Sequence, residues 1–224
     1  PGTDLAKIAD SLGKLREVHD GHVLFWSTLR EEQSLLDCFY QFMRMYETGL
    51  VNYMFWHWAD TPAPFEDIGG YAERYSQELN EVMAAYKSHL SKGVLLPLSH
   101  INELVLYLLT DKERGHTACG VELAQNFDIL DGAVHACADL PASAGAVSRD
   151  GSVEIPEEKL KKLVGYKQEL GCPACDAHFY CGGRCPVQAL AGSRVRTRQI
   201  CRLMRLHVGL VREHLDEIRR LLKG

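Results

Sequence analysis

The sequence predicts an α/β chain, α+β when taken as a whole, built in two parts. Three observations carry this. Apolar patterning in the first 60 residues alternates helix, strand, helix, strand, and seven of the eight cysteines fall after residue 118. A composition of 46% hydrophobic and 25% charged residues is that of a folded chain long enough to bury a core. The change of character is placed near residue 95, dividing 1–95 from 96–224.

From Asp4 to Val18, Leu5, Ile8, Leu12 and Leu15 recur at intervals of three and four, the signature of an amphipathic helix. His22 to Ser27 is short, apolar and rich in strand formers. Thr28 with Glu31 three residues on makes a capping-box pattern, which predicts a helix from there to about Tyr46, with Gly49 as its terminator. Leu50 to Trp58 is continuously apolar, as expected of a strand covered on both faces. This alternation implies βαβ units and a parallel sheet, and two strands do not complete one, so half of an α/β domain is expected to lie elsewhere.

Asp60 to Gly70, with Pro62, Pro64, Gly69 and Gly70, reads as a loop. Tyr71, Tyr75, Leu79, Val82, Met83, Tyr86 and Leu90 then mark a helical stripe, and Ser99, after Pro97, caps another helix through about Thr110. Beyond the polar stretch 111–117, segments 122–129 and 133–138 flank Asp131-Gly132, the dipeptide of a tight hairpin. Residues 143–152 read as a flexible loop and 156–164 as a short helix. A last amphipathic helix is predicted over 201–222, with Leu203, Leu206, Leu210, Ile218 and Leu221 inward.

Thirty acidic against 25 basic residues give a net charge of −5 with no basic block, so nothing marks a nucleic-acid partner. No apolar run reaches the roughly 18 residues of a membrane span. The start at Pro1 rather than Met, without a signal-peptide layout, reads as a piece of a longer cytoplasmic chain. In such a reducing compartment grouped thiols more often hold metal than form disulfides.

The grouped thiols are Cys119, Cys137, Cys172, Cys175, Cys181, Cys185 and Cys201, spaced C-x12-G-x4-C, a gap of 34, C-x2-C-x5-C-x3-C, a gap of 15, and C. Soft thiolates bind iron-sulfur clusters or zinc, and seven of them suggest two centres with one position left for another donor. Four thiolates also suit tetrahedral Zn²⁺. Structural disulfides are the third reading.

This arrangement resembles the SPASM domain, the auxiliary-cluster module of radical S-adenosylmethionine enzymes that mature peptides and proteins. The resemblance covers residues 96–224 and includes Gly132 and the run Gly171-Cys-Pro-Ala-Cys-Asp-Ala-His-Phe-Tyr-Cys-Gly-Gly-Arg-Cys-Pro186. The upstream part is similar in layout to the last strands of the partial (β/α)6 barrel of the same enzymes. The resemblance implies that Cys119, Cys137 and Cys185 hold a first auxiliary 4Fe-4S cluster, and Cys172, Cys175, Cys181 and Cys201 a second. The first is one thiolate short: Asp111 to Ala118 contains no cysteine, and a substrate thiolate, a water or His116 would complete it.

The chain departs from the family in lacking C-x3-C-x2-C, the loop of the S-adenosylmethionine-cleaving cluster; Cys181 and Cys185 have its first spacing, but position 188 is Gln188. What the resemblance implies therefore belongs to a parent enzyme. That enzyme would bind S-adenosylmethionine at a third 4Fe-4S cluster and modify a ribosomally made peptide or protein, with an electron donor or acceptor protein as partner. This chain alone would hold auxiliary clusters for electron transfer or substrate binding, without cleaving S-adenosylmethionine. The alternative is a non-catalytic zinc- or cluster-stabilised binding module, and a homologue that has lost its chemistry is a third reading.

Other residues carry weaker expectations. Cys38, between Leu36 and Phe39, reads as packing. His57 reads either as a cavity-lining acid, base or ligand or as a buried histidine with one hydrogen bond, and Trp26, Trp56 and Trp58 as cavity walls or core. Arg184 is placed to donate hydrogen bonds to an anionic cluster or to make a surface ion pair. Arg194, Arg196, Arg198, Arg202 and Arg205 form a basic stretch that offsets thiolate charge, meets an acidic peptide or is simply solvated. Asp176 is taken as structural.

Overall fold

The computed structural model describes residues 4–123, 125, 127–140 and 142–223. The chain forms two compact units, one of Pro1–Ala59, Gly69–Leu109 and Gly209–Gly224, the other of Asp60–Ile68 and Thr110–Val208. Pro1, where the sequence begins, lies outside the described residues.

In the first unit the order is α1 (Leu5–Arg16), β1 (Leu24–Leu29), α2 (Leu35–Glu47), β2 (Tyr53–Trp58), α3 (Ile68–Leu90) and α4 (Ser99–Thr110). The predicted alternation is present, and β1 and β2 pair in parallel, with Leu24 opposite Tyr53 and Leu29 opposite Trp58. The Met54 N–H donates to Pro97 O at 2.9 Å, and Leu98 bridges Met54, which occupies the second edge of β2. The result is a two-stranded sheet with helices. Among the described residues it closes no barrel.

Continuous hydrophobicity had pointed to strands covered on both faces, but burial alternates. Leu29, Met54, Trp56 and Trp58 are buried, whereas Trp26, on the other face, is 60% exposed. Aromatic residues blur the alternation in the sequence because they occupy both faces. The buried set continues with Phe39 and Phe42 of α2, Tyr75, Leu79 and Met83 of α3, and Ile101 and Leu104 of α4. The Trp56 indole N–H donates to the Tyr75 hydroxyl at 3.3 Å.

The expected capping box at Thr28 is not formed. Thr28 lies inside β1, opposite His57, and α2 begins later, where Ser34 accepts from the Asp37 N–H at 3.0 Å. A strand that can pair along its length outcompetes a helix cap at its end.

The second unit carries the antiparallel sheet β3 (Asp128–Leu130), β4 (Ala133–His135), β5 (Gly145–Val147) and β6 (Val153–Glu154), paired in that order. Asp131 (φ 51°) and Gly132 (φ 77°) form the two-residue turn between β3 and β4, both left-handed as a tight hairpin requires. The arms are shorter than the predicted 122–129 and 133–138; Ala124 and Asn126 of the first lie outside the described residues. The stretch 143–152, expected as a loop, contributes β5, anchored by Val147 N–H to Gly132 O at 2.9 Å. Val121, Ala136, Leu140, Ala144, Leu160 and Leu163 form a buried cluster in this unit.

Short helices follow: α5 (Glu157–Leu163), α6 (Tyr166–Glu169), α7 (His178–Cys181) and α8 (Pro186–Ala191). The last predicted helix is two, α9 (Arg194–Glu213) and α10 (Leu215–Leu221). α9 starts earlier than expected because its first turns are basic rather than apolar. Within them Arg196 is buried by cation–π packing, its guanidinium 3.6 Å from the Phe65 ring centroid. Gln199 clamps the same residue, accepting from Phe65 N–H at 2.8 Å and donating to Phe65 O at 3.1 Å. No described helix is long and apolar enough to cross a membrane.

Candidate metal centre

Four of the seven cysteines meet in the second unit. Cys172 and Cys175 bound a 3₁₀ turn, Cys181 ends α7 and Cys201 lies on α9, and all four line one small cavity of about 20 Å³. The local sequence explains the turn: Gly171, at φ 72°, reverses the chain ahead of Cys172, and Pro173 fixes the next φ. Burial pushes the Cys172 thiol up, and the neighbouring Cys181 and Cys175 sulfurs push it further. Cys201 is pushed up to about 11, chiefly by burial; the Arg184 charge works the other way, and Cys181, Cys172 and Cys175 add to the rise.

Two nitrogen atoms at this cavity have no hydrogen-bond partner although they are buried: Arg184 Nε and His178 Nε2. An orphaned buried polar atom is costly, so the Arg184 Nε–H points to an acceptor that belongs at the site, and His178 Nε2 to a partner whose role its tautomer sets. Arg184 is otherwise held by its Nη2, which donates to Gln188 Oε1 at 2.6 Å. Arg184 was legible in the sequence; His178 was missed, because a histidine between ligand cysteines has no spacing of its own to mark it.

The remaining three cysteines are more loosely related. Cys119 is exposed, 3.5 Å from the Thr117 hydroxyl. Cys137 packs against the Val121–Leu163 apolar cluster, to which Val187 also contributes. Cys185 precedes α8 and its thiol is pushed up, chiefly by burial. Tyr166 lies between the two groups. Its hydroxyl donates to Arg184 O, and its ionisation is opposed first by burial and then by Glu122, Cys185, Cys119 and Cys172. Among the described residues no group of three or more His, Cys, Asp or Glu side chains is arranged to hold a metal ion. Thiols are the donors of a soft metal centre, but among the described residues their side chains do not close around a single ion.

His116 stands before Cys119 and its Nδ1 is 2.7 Å from Thr117 O. A carbonyl only accepts, so Nδ1 carries the proton, which in the neutral ring leaves Nε2 with the lone pair a metal ligand needs. The segment is fixed against the cysteine loop, since Arg114 N–H donates to Phe179 O at 2.6 Å and the Arg114 guanidinium lies 5.2 Å from the Tyr180 ring centroid. Gly182 makes the approach possible. It sits at φ 63°, and a Cβ there would fall 1.8 Å from His116 O. Gly182→Ala is expected to cost about 2 kcal/mol or more in chemical denaturation, whereas Gly171→Ala, with open space around it, costs about 1 kcal/mol.

Glu122 and Lys167 pair at 2.6 Å with only 13% and 15% of their side chains exposed, and Thr117 gives Glu122 both its N–H (2.8 Å) and its hydroxyl (2.6 Å). Burial opposes the carboxylate, but the Lys167 and Thr117 hydrogen bonds outweigh it, and the Glu122 pKa is lowered from 4.5. A carboxylate with a lowered folded pKa stabilises the fold above its unfolded pKa, and that contribution is lost as pH falls through the folded value. Glu122→Gln is therefore expected to lose stability less steeply than the parent chain below about pH 4.5 in acid titrations followed by circular dichroism.

The other candidates separate. Cys38 is half-buried on α2 in the first unit, away in the chain from the other thiols. His57 Nε2 is 2.8 Å from the Thr28 hydroxyl, and Trp26 packs edge-on against Phe55 and His57 at 4.9 and 5.5 Å. Trp56 and Trp58 are core, and Asp176 is exposed beside Cys175. Comparison with protein-family models, curated proteins and solved structures finds no match to this chain.

Proposed function

We propose that this chain is the auxiliary-cluster portion of a radical S-adenosylmethionine enzyme that modifies peptides or proteins, with residues 96–224 as a SPASM-type domain and residues 1–95 as the end of a partial (β/α)6 barrel. The observation that carries the reading is the convergence of Cys172, Cys175, Cys181 and Cys201 on one cavity that also holds two unpartnered buried nitrogens, Arg184 Nε and His178 Nε2. A 4Fe-4S cluster there would supply one-electron chemistry. Its inorganic sulfides accept hydrogen bonds, which is what the Arg184 Nε–H offers, and His178 Nε2 in the tautomer that carries the proton there.

Cys119, Cys137 and Cys185 would hold a second such centre, with His116 Nε2, water or a substrate thiolate at its fourth position. The chain's own part is to bind and insulate these centres and to present them to a ribosomally made peptide or protein and to an electron donor or acceptor protein. Cleavage of S-adenosylmethionine is assigned to a C-x3-C-x2-C loop that these 224 residues do not contain. The second reading, a non-catalytic zinc- or cluster-stabilised binding module, is favoured by the size of the cavity, since about 20 Å³ is room for little more than one ion-sized sphere.

Electron paramagnetic resonance during a redox titration of the anaerobically reconstituted chain tests the reading. A reduced-cluster signal is expected, and Arg184→Gln should move its midpoint to lower potential, because removing a cation beside Cys201 disfavours the more negative reduced state. A chain that stays silent at every potential would contradict the proposal.

A further inference from the structure

We infer that the pocket enclosed by α5, α6, α8 and the first turns of α9 docks an acidic peptide segment in which carboxylates flank an aliphatic side chain. The cavity measures about 410 Å³, within the range in which proteins hold ligands larger than a single ion. Lys162, Arg194 and Arg198 border it against one carboxylate, Glu169. Arg194 pairs with Glu169, but both side chains are exposed, by 75% and 62%, so water and salt weaken that pair and it opens at little cost. Lys162 and Arg198 have no ion-pair partner among the described residues. Leu170 and Leu190 supply an aliphatic wall, and Leu190 is 49% exposed.

The chemistry of the pocket selects a peptide rather than a phosphate or a nucleotide. Phosphate sites at helix starts use free backbone N–H groups. Here the Val195 and Arg196 N–H groups already donate to Ser193 Oγ at 3.2 and 3.4 Å, so an anion meets spaced side-chain cations instead. Tyr166, the aromatic residue at the wall, is 7% exposed and its hydroxyl is engaged by Arg184 O, which leaves no open ring for a base to stack on. Separated cations around aliphatic side chains match alternating acidic and aliphatic residues on an extended strand. None of the described residues lining the pocket is a cysteine, so the inference does not depend on what the thiols hold.

The test is fluorescence anisotropy on the whole chain as purified, with a dye-labelled Glu-Leu-Glu-Leu-Glu peptide and its Gln-Leu-Gln-Leu-Gln counterpart. The acidic peptide is expected to bind at least about tenfold more tightly, and to lose about tenfold when Lys162→Glu and Arg198→Glu are combined. Both side chains are exposed, so circular dichroism should be unchanged. Arg219→Glu, on α10, should leave binding as it was. Equal binding of the two peptides would overturn the inference, as would indifference to the double charge reversal. Displacement of the peptide by millimolar inorganic phosphate or by an oligonucleotide would do the same, by making the pocket a general anion or nucleic-acid site.

Discussion

Cys172→Ala is expected to halve the iron and sulfide that the chain takes up on anaerobic reconstitution, and to lower the stability of the second unit by about 4 kcal/mol or more. Cys172 is 8% exposed and shares its cavity with Cys175, Cys181 and Cys201. Removing it leaves three thiols and a buried methyl group in place of the fourth donor, where Cys172 is only 8% exposed and no water or exogenous thiolate readily replaces it. The loss in stability is large because a ligand that binds only the folded chain adds its binding energy to folding. The second unit is exposed to that loss, as its sheet consists of strands of only two or three residues. Cys201→Ala should behave alike, since Cys201 lies on α9 and ties that helix to the same cavity. Cys38→Ala is the control. Full metal content in the Cys172 variant, or metal loss in the Cys38 variant, would contradict the ligand assignment.

Trp56→Ala should destabilise the first unit by about 3–5 kcal/mol, the range for truncating a fully buried large aromatic side chain. Trp56 is 2% exposed, pairs with Ser27 across the strands, and gives its indole N–H to Tyr75, itself 1% exposed. The substitution opens a cavity between sheet and helix and takes a donor from a buried hydroxyl. Trp26→Ala, one ladder position away on the open face, should change stability by no more than about 1 kcal/mol. Urea unfolding followed by circular dichroism distinguishes the two. Equal effects would mean that the sheet is covered on both faces after all.

Helix and strand order in the first unit was legible because the helices repeat apolar residues at intervals of three and four, while the strands are short apolar runs rich in strand formers. Strand boundaries were not, because Thr28 and Glu31 satisfy a capping pattern on paper while the backbone of Thr28 is in the β1–β2 ladder. The short strand β5 left no trace in residues 143–152, whose small and polar side chains read as loop. The start of α9 was hidden by Arg194, Arg196 and Arg198, since helical periodicity is sought among apolar side chains and Arg196 is buried on Phe65 by its charge. Ligand candidates were visible from cysteine spacing alone, as was Arg184 beside them. His178 required the structure, because only burial without a partner marks it.

Iron, zinc and acid-labile sulfide per chain, measured after anaerobic reconstitution, test the central claim most directly. About eight iron and eight sulfide, with no zinc, is the predicted result for two 4Fe-4S clusters. Zinc at one per four thiols, with no iron or sulfide taken up, would contradict it and make the chain a structural metal module.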